Sequence, residues 1–589
     1  MVIEMRNINT VLNPAEQASK ETLSAMFLAI ENNQCFRLEA GAGAGKTYSL
    51  IEALKYTISK YGKLYLKQNR KIACITYTNV AKDEINSRLD NHPIVYAETI
   101  HAFSWNILKN FQKEMRSFIP SISEKWETRI AEIGGIKNQT IKYDLGYPSA
   151  SEEEITLHHN DVIDIMTHFL ALKKFRAILE SLYPVLFIDE YQDTNNKLAL
   201  AIKEFLIEAD SKMLIGLFGD HWQKIYGHSS CGIIESTRIK FIGKNANFRS
   251  DKNIVDVLNN MRPELPQFPK NTEAKGEIDI LHTNSWVGNR RTGGHWGGDL
   301  PVEVAHEILH NTIIKLTNKG WDFSPEHTKI LMLTNNILAA EQNYLSIAST
   351  FSNTDDYLKK NDEYIKFFVD TIEPVCEYYS QRKFGKITEI LGGGAVALKK
   401  AEDKILWKNS LDRLIELRIS GTIGDVIEHL QLTKQPRLSY KIEDEETKFQ
   451  ALKLLDDIPE EEKSFFEKTE RLKAIKYSEV ITLTNYINDK TPFSTKHGVK
   501  GAEFENVLVV CGRGWNQYNW NQMLEWSNTA VPDEKIDTFE RNRNLFYVAC
   551  SRPKKRLAIL FTQQLSSLGI KTLKKWFGTQ NIHSFDDEY

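Results

Sequence analysis

The chain has 589 residues, of which 41% are hydrophobic and 26% are charged, a composition typical of a globular protein with several cores. At roughly 150 residues per domain, this length predicts about four structural units. Lys and Arg total 75 against 78 Asp and Glu, a formal net charge of −3. This balance excludes a histone-like coat of positive charge, but it leaves room for a local basic groove.

The spacing of the cysteines and the hydropathy of the chain indicate its cellular compartment. The six cysteines lie far apart and form no CxxC pair, which is typical of reduced core residues and not of a disulfide framework or a zinc site. The N-terminus lacks an apolar signal core, and no stretch approaches the ~18 apolar residues of a membrane span. We therefore expect a cytoplasmic protein without a membrane partner.

The first 250 residues alternate short apolar runs with amphipathic stretches. Asn13-Pro14 is expected to start the first helix. Fully apolar strands separated by helical patterns indicate a parallel sheet that is covered on both faces. Residues 106–180 are mostly helical by pattern and interrupt the alternation as an inserted subdomain. The predicted strands are 35–40, 72–77, 185–188 and 213–218.

A second α/β pattern begins near Lys252. Its predicted strands are 329–333, 507–511 and 556–561. A second helical insertion, rich in Lys, Glu, Leu and aromatic residues, separates the first of these strands from the other two. The segment RRTGGHWGG at 290–298 is too rich in glycine for a helix or a strand and is interpreted as a mobile loop.

A Gly-rich segment follows the predicted strand 35–40 and opens a helix. Its small residues let backbone N–H groups point at phosphate oxygens, and the helix N-terminus adds positive potential. Lys46 is expected to reach the β- and γ-phosphates, and the Thr47 hydroxyl to coordinate Mg²⁺. The first position is alanine where the general pattern has glycine. The expected nucleotide-binding residues are Ala40, Gly41, Ala42, Gly43, Ala44, Gly45, Lys46, Thr47 and Tyr48.

Two acids end the predicted strand 185–188. Asp189 and Glu190 follow this apolar run at its carboxyl end, where ligands of open α/β sheets bind. We assign Asp189 to Mg²⁺ and Glu190 to polarising the attacking water. Taken alone, such a run is more often an ordinary strand end. Next to a phosphate-binding loop, it indicates an ATP site.

Further motifs recur along the chain in one order. They are IACITYTN at 72–79, TIHAF at 99–103, DEYQD at 189–193, GDHWQKIYG at 219–227, NFRS at 247–250, TKHGVKGAEF at 495–504 and RNLFYVACSR at 543–552. Together with the phosphate-binding loop, this series resembles the UvrD/Rep/PcrA-like superfamily 1 DNA helicases. The resemblance implies an α/β fold of two RecA-like parallel-sheet P-loop domains, 1A and 2A, each with an inserted helical subdomain, 1B and 2B.

The resemblance and the element pattern together give the expected domain boundaries. Each core domain is split in two by its insertion. The expected segments are 1–93 and 185–250 for 1A, 94–184 for 1B, 251–350 and 485–589 for 2A with a C-terminal tail, and 351–484 for 2B.

The resemblance also implies roles around the nucleotide. Arg249 and Arg552 are suited to neutralise charge on the transferring γ-phosphoryl group from the second core domain, although an isolated arginine is more often a surface ion pair. With Lys46 and Glu190, they form the expected catalytic set, which Gln223 completes as a γ-phosphate sensor. By resemblance, Gln17 reads the adenine edge and Glu503 belongs to the nucleotide site. The run before Gln17 is one residue longer than the family pattern.

For a nucleic-acid strand, aromatic faces between phosphate donors make a sequence-tolerant track, worth ~1–3 kcal/mol per stacked base. The family's tryptophan after GDHWQKIYG is missing here, and Trp222 is the candidate that takes over its stacking role. Tyr77 could equally pack under the helix that follows it. The candidate stacking residues are Tyr77, His101, Trp222 and Tyr226, and the candidate backbone-contacting residues are Thr78, Asn79, Thr495 and His497.

These features predict an ATP-dependent 3′→5′ DNA helicase or translocase that acts on single-stranded DNA or a tailed duplex and uses ATP and Mg²⁺. The polarity comes from the resemblance. A P-loop small-molecule kinase would not need two distant arginines, and a degenerate scaffold would not keep every catalytic position.

A second hypothesis is a DNA-stimulated ATPase that senses DNA, unwinds little and gates a partner nuclease. Insertions shorter than those of full-size repair helicases favour it, as does the altered segment after GDHWQKIYG. UvrD-like subunits of this kind occur in phage-defence systems such as Gabija. The residues after Phe561 are too few for a nuclease domain of about 100 residues, so we expect any nuclease to be a separate subunit.

Overall fold

The computed structural model describes residues 13–144, 148–209, 211–225, 229–294, 296–332, 335–392, 400–495, 499–513 and 518–587. The first helix begins where Asn13 accepts a hydrogen bond from the backbone N–H of Glu16 at 2.9 Å, with Pro14 at the first helical position. The first elements are α1 (Pro14–Glu31), β1 (Phe36–Ala40), α2 (Lys46–Lys67), β2 (Ile72–Thr76), α3 (Asn79–Arg88) and β3 (Val95–Thr99).

The first insertion follows β3. The Thr99 side chain caps its first helix by accepting from the N–H of Ala102. The insertion is not wholly helical, because it also contains a three-stranded sheet. Its elements are α4 (Ile100–Leu108), α5 (Gln112–Phe118), α6 (Glu124–Glu132), β4 (Thr140–Tyr143), β5 (Ser149–Ala150), β6 (Glu154–Leu157), α7 (His159–Leu170) and α8 (Lys173–Leu182).

The chain then returns to the first core domain, whose sheet has the strand order β3-β2-β7-β8-β1-β9 with all pairs parallel. Because β3 pairs with β2, the insertion starts after Thr99 and not at 94 as the sequence predicted. The further elements are β7 (Val185–Asp189), α9 (Asn196–Ile202), β8 (Leu214–Gly219), β9 (Lys240–Lys244) and β10 (Ala246–Asn247).

Both faces of this sheet are buried. Ile72 and Cys74 of β2 pack on the side of α2, whereas Ala73 and Ile75 pack against the insertion. This explains why the predicted strands read as continuous apolar runs.

The second core domain begins with α10 and is itself interrupted. Its first elements are α10 (Lys252–Met261), β11 (Phe268–Pro269), β12 (Glu277–His282), α11 (Val302–Asn318) and β13 (Thr328–Met332). A helical region follows, with α12 (Asn335–Glu341), α13 (Leu345–Thr350), α14 (Thr354–Leu358), α15 (Glu363–Phe367), α16 (Glu373–Ser380), α17 (Phe384–Leu391), α18 (Ala401–Ser420), α19 (Ile423–Thr433), α20 (Tyr440–Lys453), α21 (Glu460–Ala474) and α22 (Ser478–Ile487).

The second sheet is also six-stranded and wholly parallel, in the order β14-β13-β15-β16-β12-β17. The final elements are β14 (Phe493–Thr495), β15 (Phe504–Cys511), α23 (Trp520–Trp526), α24 (Ile536–Cys550), β16 (Pro553–Phe561), α25 (Ser567–Phe577) and β17 (Ile582–Ser584). The two parallel sheets with helical regions confirm the predicted fold class. Among the described residues, no helix is long and apolar enough to cross a membrane.

Candidate nucleotide and nucleic-acid site

The loop between β1 and α2 has the geometry of a phosphate cradle. Gly43 and Gly45 have φ angles of +76° and +77°, in the left-handed region that glycine adopts without strain. A Cβ at Gly43 would lie 2.8 Å from Cβ of Arg249. Lys46 and Thr47 then form the first helical turn, where unpaired N–H groups attract phosphate.

Lys46 joins the acids at the end of β7. Its Nζ lies 2.5 Å from Oε1 of Glu190, and Gln192 donates to the other carboxylate oxygen at 2.5 Å. Burial raises the pKa of Glu190, but the charges of Lys46 and Lys500 outweigh it and lower the pKa to about 2. Glu190 is therefore ionised, as a group that polarises water must be.

Asp189 lies beside this pair and is buried. Burial raises its pKa to about 6, and the charge of Lys46 offsets only part of that effect. A buried carboxyl group at a strand end, short of positive charge, suits a divalent cation. The glycine cradle, the buried lysine and this carboxyl group together fit Mg²⁺-ATP.

Gln223 is held in place from both core domains. Its Nε2 donates to Asp220 Oδ2 at 2.7 Å, and Arg262 Nη1 donates to Asp220 Oδ1 at 2.5 Å. Arg262 is 2% exposed and also lies 3.6 Å from Glu39. Since Arg262 follows α10, the second core domain fixes a carboxylate that orients the candidate γ-phosphate sensor. The cluster of Glu39, Asp220 and His221 has ligand atoms near one another, but Arg262 already supplies its positive charge.

The two predicted arginines lie next to each other. Arg249 donates to the Ser551 carbonyl at 3.0 Å and to Glu503 at 3.1 Å. Arg552 is buried and donates to the Val548 carbonyl at 2.9 Å. Burial and the neighbouring charge of Arg249 lower the pKa of Arg552 to about 9. An anion between these arginines and the cradle would relieve their repulsion.

Two hydrogen bonds hold the NFRS motif on the phosphate cradle within the first core domain, and one ion pair joins motifs of the two core domains. Asn247 Nδ2 donates to the Ala42 carbonyl at 3.0 Å, and the N–H of Phe248 donates to the Gly43 carbonyl at 2.8 Å. Lys500 of the TKHGVKGAEF motif forms a buried ion pair with Asp193 of the DEYQD motif. The predicted catalytic residues therefore converge on one site.

The other predicted nucleotide residues are partly or fully exposed. Gln17 is exposed on α1 and donates to Glu21 at 2.7 Å. Tyr48 is 49% exposed. Glu503 accepts from Arg249 and from Lys554 Nζ at 2.6 Å, and these contacts lower its pKa against the effect of burial.

Sequence reasoning missed two residues beside the cradle. Lys244, the last residue of β9, is fully buried and donates to Ser49 Oγ at 2.8 Å and to the Gly45 carbonyl at 3.1 Å. Gln267 Nε2 lies 2.8 Å from the position of a Cβ on Gly41. The signal for Lys244 was a lysine inside an apolar strand pattern just before NFRS. Gln267 carries no comparable signal.

The candidate strand-contacting residues lie at the carboxyl ends of the sheets. Tyr77 follows β2 and is 48% exposed, so its ring is accessible. Thr78 caps α3 by accepting from Ala81 at 3.2 Å, and Asn79 is exposed beside it. His101 is half-buried, and burial with the charges of His158 and His159 lowers its pKa to about 4. Thr495 ends β14.

Trp222 does not lie on an exposed face. It is 7% exposed, with the Arg543 guanidinium 4.1 Å from its ring centroid and the Tyr547 ring packed edge-on. This placement argues against the expected stacking role, because both side chains occupy the ring that a base would need. Tyr226 and His497 lie outside the described residues.

Two family matches cover this site. Residues 23–229 match the AAA domain, and residues 321–564 match the UvrD-like helicase C-terminal domain. The first match contains the phosphate cradle and implies ATP binding, and the second contains Glu503 and Arg552. The chain belongs to the UvrD-like superfamily 1 helicases, a family with ATPase and helicase activity, which confirms the resemblance read from the motifs.

Three relatives match over nearly their whole length. A Gabija protein GajB from Bacillus cereus (strain HuB5-5) is 24% identical, with 97% of this chain and 99% of the relative covered. Another Gabija protein GajB, from Bacillus cereus (strain VD045), is 22% identical over 92% and 96% of the two chains. The ATP-dependent DNA helicase Rep of Buchnera aphidicola subsp. Schizaphis graminum (strain Sg) is 23% identical over 92% and 93%.

Proposed function

We propose that this chain is an ATP-driven motor that moves 3′→5′ on single-stranded DNA. The observation that carries the proposal is the convergence of Lys46, Glu190, Arg249 and Arg552 on one site built from both core domains. A site shared in this way links hydrolysis to relative movement of the two sheets.

Each residue has a defined part in this proposal. Thr47 and Asp189 would hold Mg²⁺, which supplies charge neutralisation at the phosphates when bound. Lys46 leaves Glu190 for the phosphates, and the freed carboxylate orients water. Arg249 and Arg552 neutralise the charge that develops during transfer. When the phosphate departs, Arg249 returns to Glu503.

DNA-stimulated ATP hydrolysis tests the motor. We expect single-stranded DNA to raise turnover of the full chain sharply. Lys46→Ala and Glu190→Gln should each lower it by at least about 100-fold, the scale of lost electrostatic or acid–base catalysis. Lys63→Ala, an exposed lysine on the same helix α2, is the matched control. Turnover that is indifferent to DNA would exclude the motor.

The direction of movement needs its own measurement. The chain should displace streptavidin from biotin at the 5′ end of an oligonucleotide faster than from the 3′ end. The opposite preference would reverse the proposed polarity while leaving the motor intact.

A second candidate function is a DNA-sensing ATPase that gates a partner nuclease in phage defence. The observation that favours it is the full-length similarity to two Gabija proteins. Unwinding of a 3′-tailed duplex by the purified chain separates the two functions. Strong strand displacement supports the helicase, whereas DNA-stimulated hydrolysis without displacement supports the sensor. Co-purification of a nuclease from the native cell would identify the partner.

A further inference from the structure

A Gly-rich segment joins β12 to α11 in the second core domain. It contains the sequence RRTGGHWGG, which the nucleotide site does not use. We name residues 284–300 the Arg–Trp loop. Although its composition indicates a mobile loop, the described part is fastened to the sheet. Arg290 donates to the Thr562 carbonyl at 3.0 Å and to the Gly298 carbonyl at 3.2 Å, and it also bonds the Thr283 carbonyl.

A buried carboxylate anchors the other end of the Arg–Trp loop. Asp299 is 6% exposed and accepts from the N–H of Leu300 at 3.0 Å and of Arg513 at 2.6 Å. Burial raises the pKa of Asp299 against these hydrogen bonds. Asp299 thereby ties the Arg–Trp loop to Arg513, which follows β15, so the loop has a fixed place in the fold.

Three arginines lie at this place, and the charge of the buried Asp299 acts on all three. Within 4.0 Å, Arg290, Arg291 and Arg513 form no side-chain ion pair with a carboxylate in the described part of the chain, although the backbone N–H of Arg513 donates to Asp299. Nε of Arg513 is buried without a hydrogen-bond partner among those residues. Burial lowers the pKa of both Arg290 and Arg513. Arg290 and Arg513 donate to backbone carbonyls, whereas the Arg291 side chain makes no hydrogen bond among the described residues, so Arg291 is the cation that suits an anion.

The arginines of the loop lie over tryptophan rings. The Arg291 guanidinium is 4.0 Å from the ring centroid of Trp296, and that of Arg290 is 5.7 Å from the centroid of Trp286. Arg291 and Trp296 also line a cavity of about 580 Å³ with an apolar floor. Cavities of this size hold small planar ligands. The lining also includes the acidic residues Asp299, Glu303 and Glu341, and the Glu341 carboxylate is engaged by His306 at 2.9 Å.

The cavity opens at the carboxyl edge of the second sheet. Met332 ends β13, and Val510 and Gly512 stand at the end of β15; all three line the cavity. β14, which ends in the candidate strand-contacting residue Thr495, is the next strand beyond β13. Neighbouring strands are about 4.8 Å apart, so the cavity lies within about two strand spacings of Thr495.

We propose that the Arg–Trp loop is a binding site for single-stranded DNA, in which a base stacks at Trp296 and Arg291 contacts a phosphate. This inference rests on the proposed movement along single-stranded DNA. Unlike Trp222, the indole of Trp296 lines an apolar cavity, and with an arginine over the ring this arrangement suits a base and its phosphate. An acidic protein surface would satisfy the arginines, but it would leave the cavity and the indole unused.

Salt-dependent binding of a fluorescent oligothymidine to the full chain tests the site. Trp296→Leu should weaken binding about tenfold, the scale of one lost stacked base. Arg291→Gln should also weaken it and make the slope of log K against log[salt] shallower by about 0.7, the value for one phosphate contact on a single strand. Arg437→Gln, which removes an exposed, ion-paired arginine in the second insertion, is the control of equal charge and should change neither quantity.

Crosslinking gives a second measurement that does not depend on a substitution. Oligothymidine containing 4-thiothymidine should crosslink within 284–300. If the wild type binds and is stimulated by DNA, but both variants bind as the wild type does and no crosslink maps to the loop, the inference is wrong while the motor stands. If the wild type neither binds DNA nor responds to it, the motor fails as well. Should Trp296→Leu lower the melting temperature strongly, Arg291→Gln and the crosslink still decide the question.

Discussion

Lys244 is an unusual residue for the end of an apolar strand. Its ammonium group is fully buried, with the rings of Tyr48 and Phe248 centred 5.4 and 5.9 Å away. Among the described residues, the Lys244 ammonium group has hydrogen-bond acceptors but no carboxylate partner. Burial therefore lowers its pKa from 10.5 to about 8. A cation kept behind the phosphate cradle strengthens the positive potential there and destabilises the fold.

The pH dependence of stability should reveal this lysine. Below pH 8, both the folded and the unfolded chain hold the proton, and the buried charge costs about 3 kcal/mol. Between pH 8 and 10.5, the folded state releases the proton first, so this cost disappears and the free energy of unfolding rises. We expect Lys244→Met to remove that rise in urea titrations at pH 7 to 10. Lys240→Met, on the same strand, should retain it. Parallel profiles for wild type and Lys244→Met would contradict the assignment.

Arg262 should matter both for stability and for turnover. Arg262→Met leaves Asp220 buried without its cation, whereas Glu39 keeps Arg37 at 3.4 Å, and the change should cost about 3–5 kcal/mol of unfolding free energy. Because Asp220 then no longer fixes Gln223, kcat should fall while KM for ATP changes little. Urea denaturation and steady-state kinetics measure the two effects.

The double variant Arg262→Met/Asp220→Asn provides the control for this network. It should recover part of the lost stability, because no isolated carboxylate remains at Asp220, but it should not recover kcat. Additive losses in stability would show that the two residues do not act on each other.

At the scale of elements, the phosphate cradle depends on glycine for two separate reasons. Gly43 has a left-handed φ angle, and a Cβ there would also lie 2.8 Å from Asn247 Oδ1. We expect Gly43→Ala to destabilise the fold by about 2–3 kcal/mol and to weaken nucleotide binding. Gly135→Ala tests the backbone effect alone, because Gly135 has φ +90° and open space around it. Equal effects on nucleotide binding would contradict the role of the close contact.

The sequence predicted seven of the eight interior strands of the two six-stranded sheets, and it missed the edge strands and the buried strand β12. β1, β2, β7, β8, β13, β15 and β16 each lie within a few residues of their predicted positions, because central parallel strands are apolar on both faces. β3 and β9 were missed, since an edge strand is partly exposed and its pattern is mixed. β14 is a strand of only three residues, which is too short to show an alternation of apolar and polar residues, and its pairing depends on its neighbours.

Site residues were predictable where a single local motif indicates their chemical role. Lys46, Asp189 and Glu190 follow from strand, turn and charge, and Arg249 and Arg552 follow from the family resemblance. Arg262 was not predictable, because the two buried acids that it pairs with, Glu39 and Asp220, are far from it in the sequence. The stacking role expected for Trp222 failed for the same reason, since only the packing of α24 against the ring shows that it is covered.

At the scale of the whole molecule, one buried ion pair joins the two core domains through their motifs. Lys500 is 8% exposed and Asp193 is 1% exposed in their side chains. Burial raises the pKa of Asp193 to about 6, and the charge of Lys500 limits that rise. The Lys500 charge also lowers the pKa of Glu190. Lys500 thus connects the motif next to Thr495 with the carboxylate that orients water.

We therefore expect Lys500→Gln to separate DNA binding from hydrolysis. Without the lysine, the pKa of Asp193 should rise above 6, and the protonated residue no longer needs a partner in the second domain. The ratio of DNA-stimulated to DNA-free turnover should then fall about tenfold, the effect of roughly 1.4 kcal/mol. Lys554→Gln removes an exposed ion pair with Glu503 inside the second domain and serves as the matched control. If stimulation persists in Lys500→Gln, the signal between the strand and the nucleotide does not pass through this ion pair, and the contacts of Arg262 with Asp220 and Glu39 of the first domain are left to carry it.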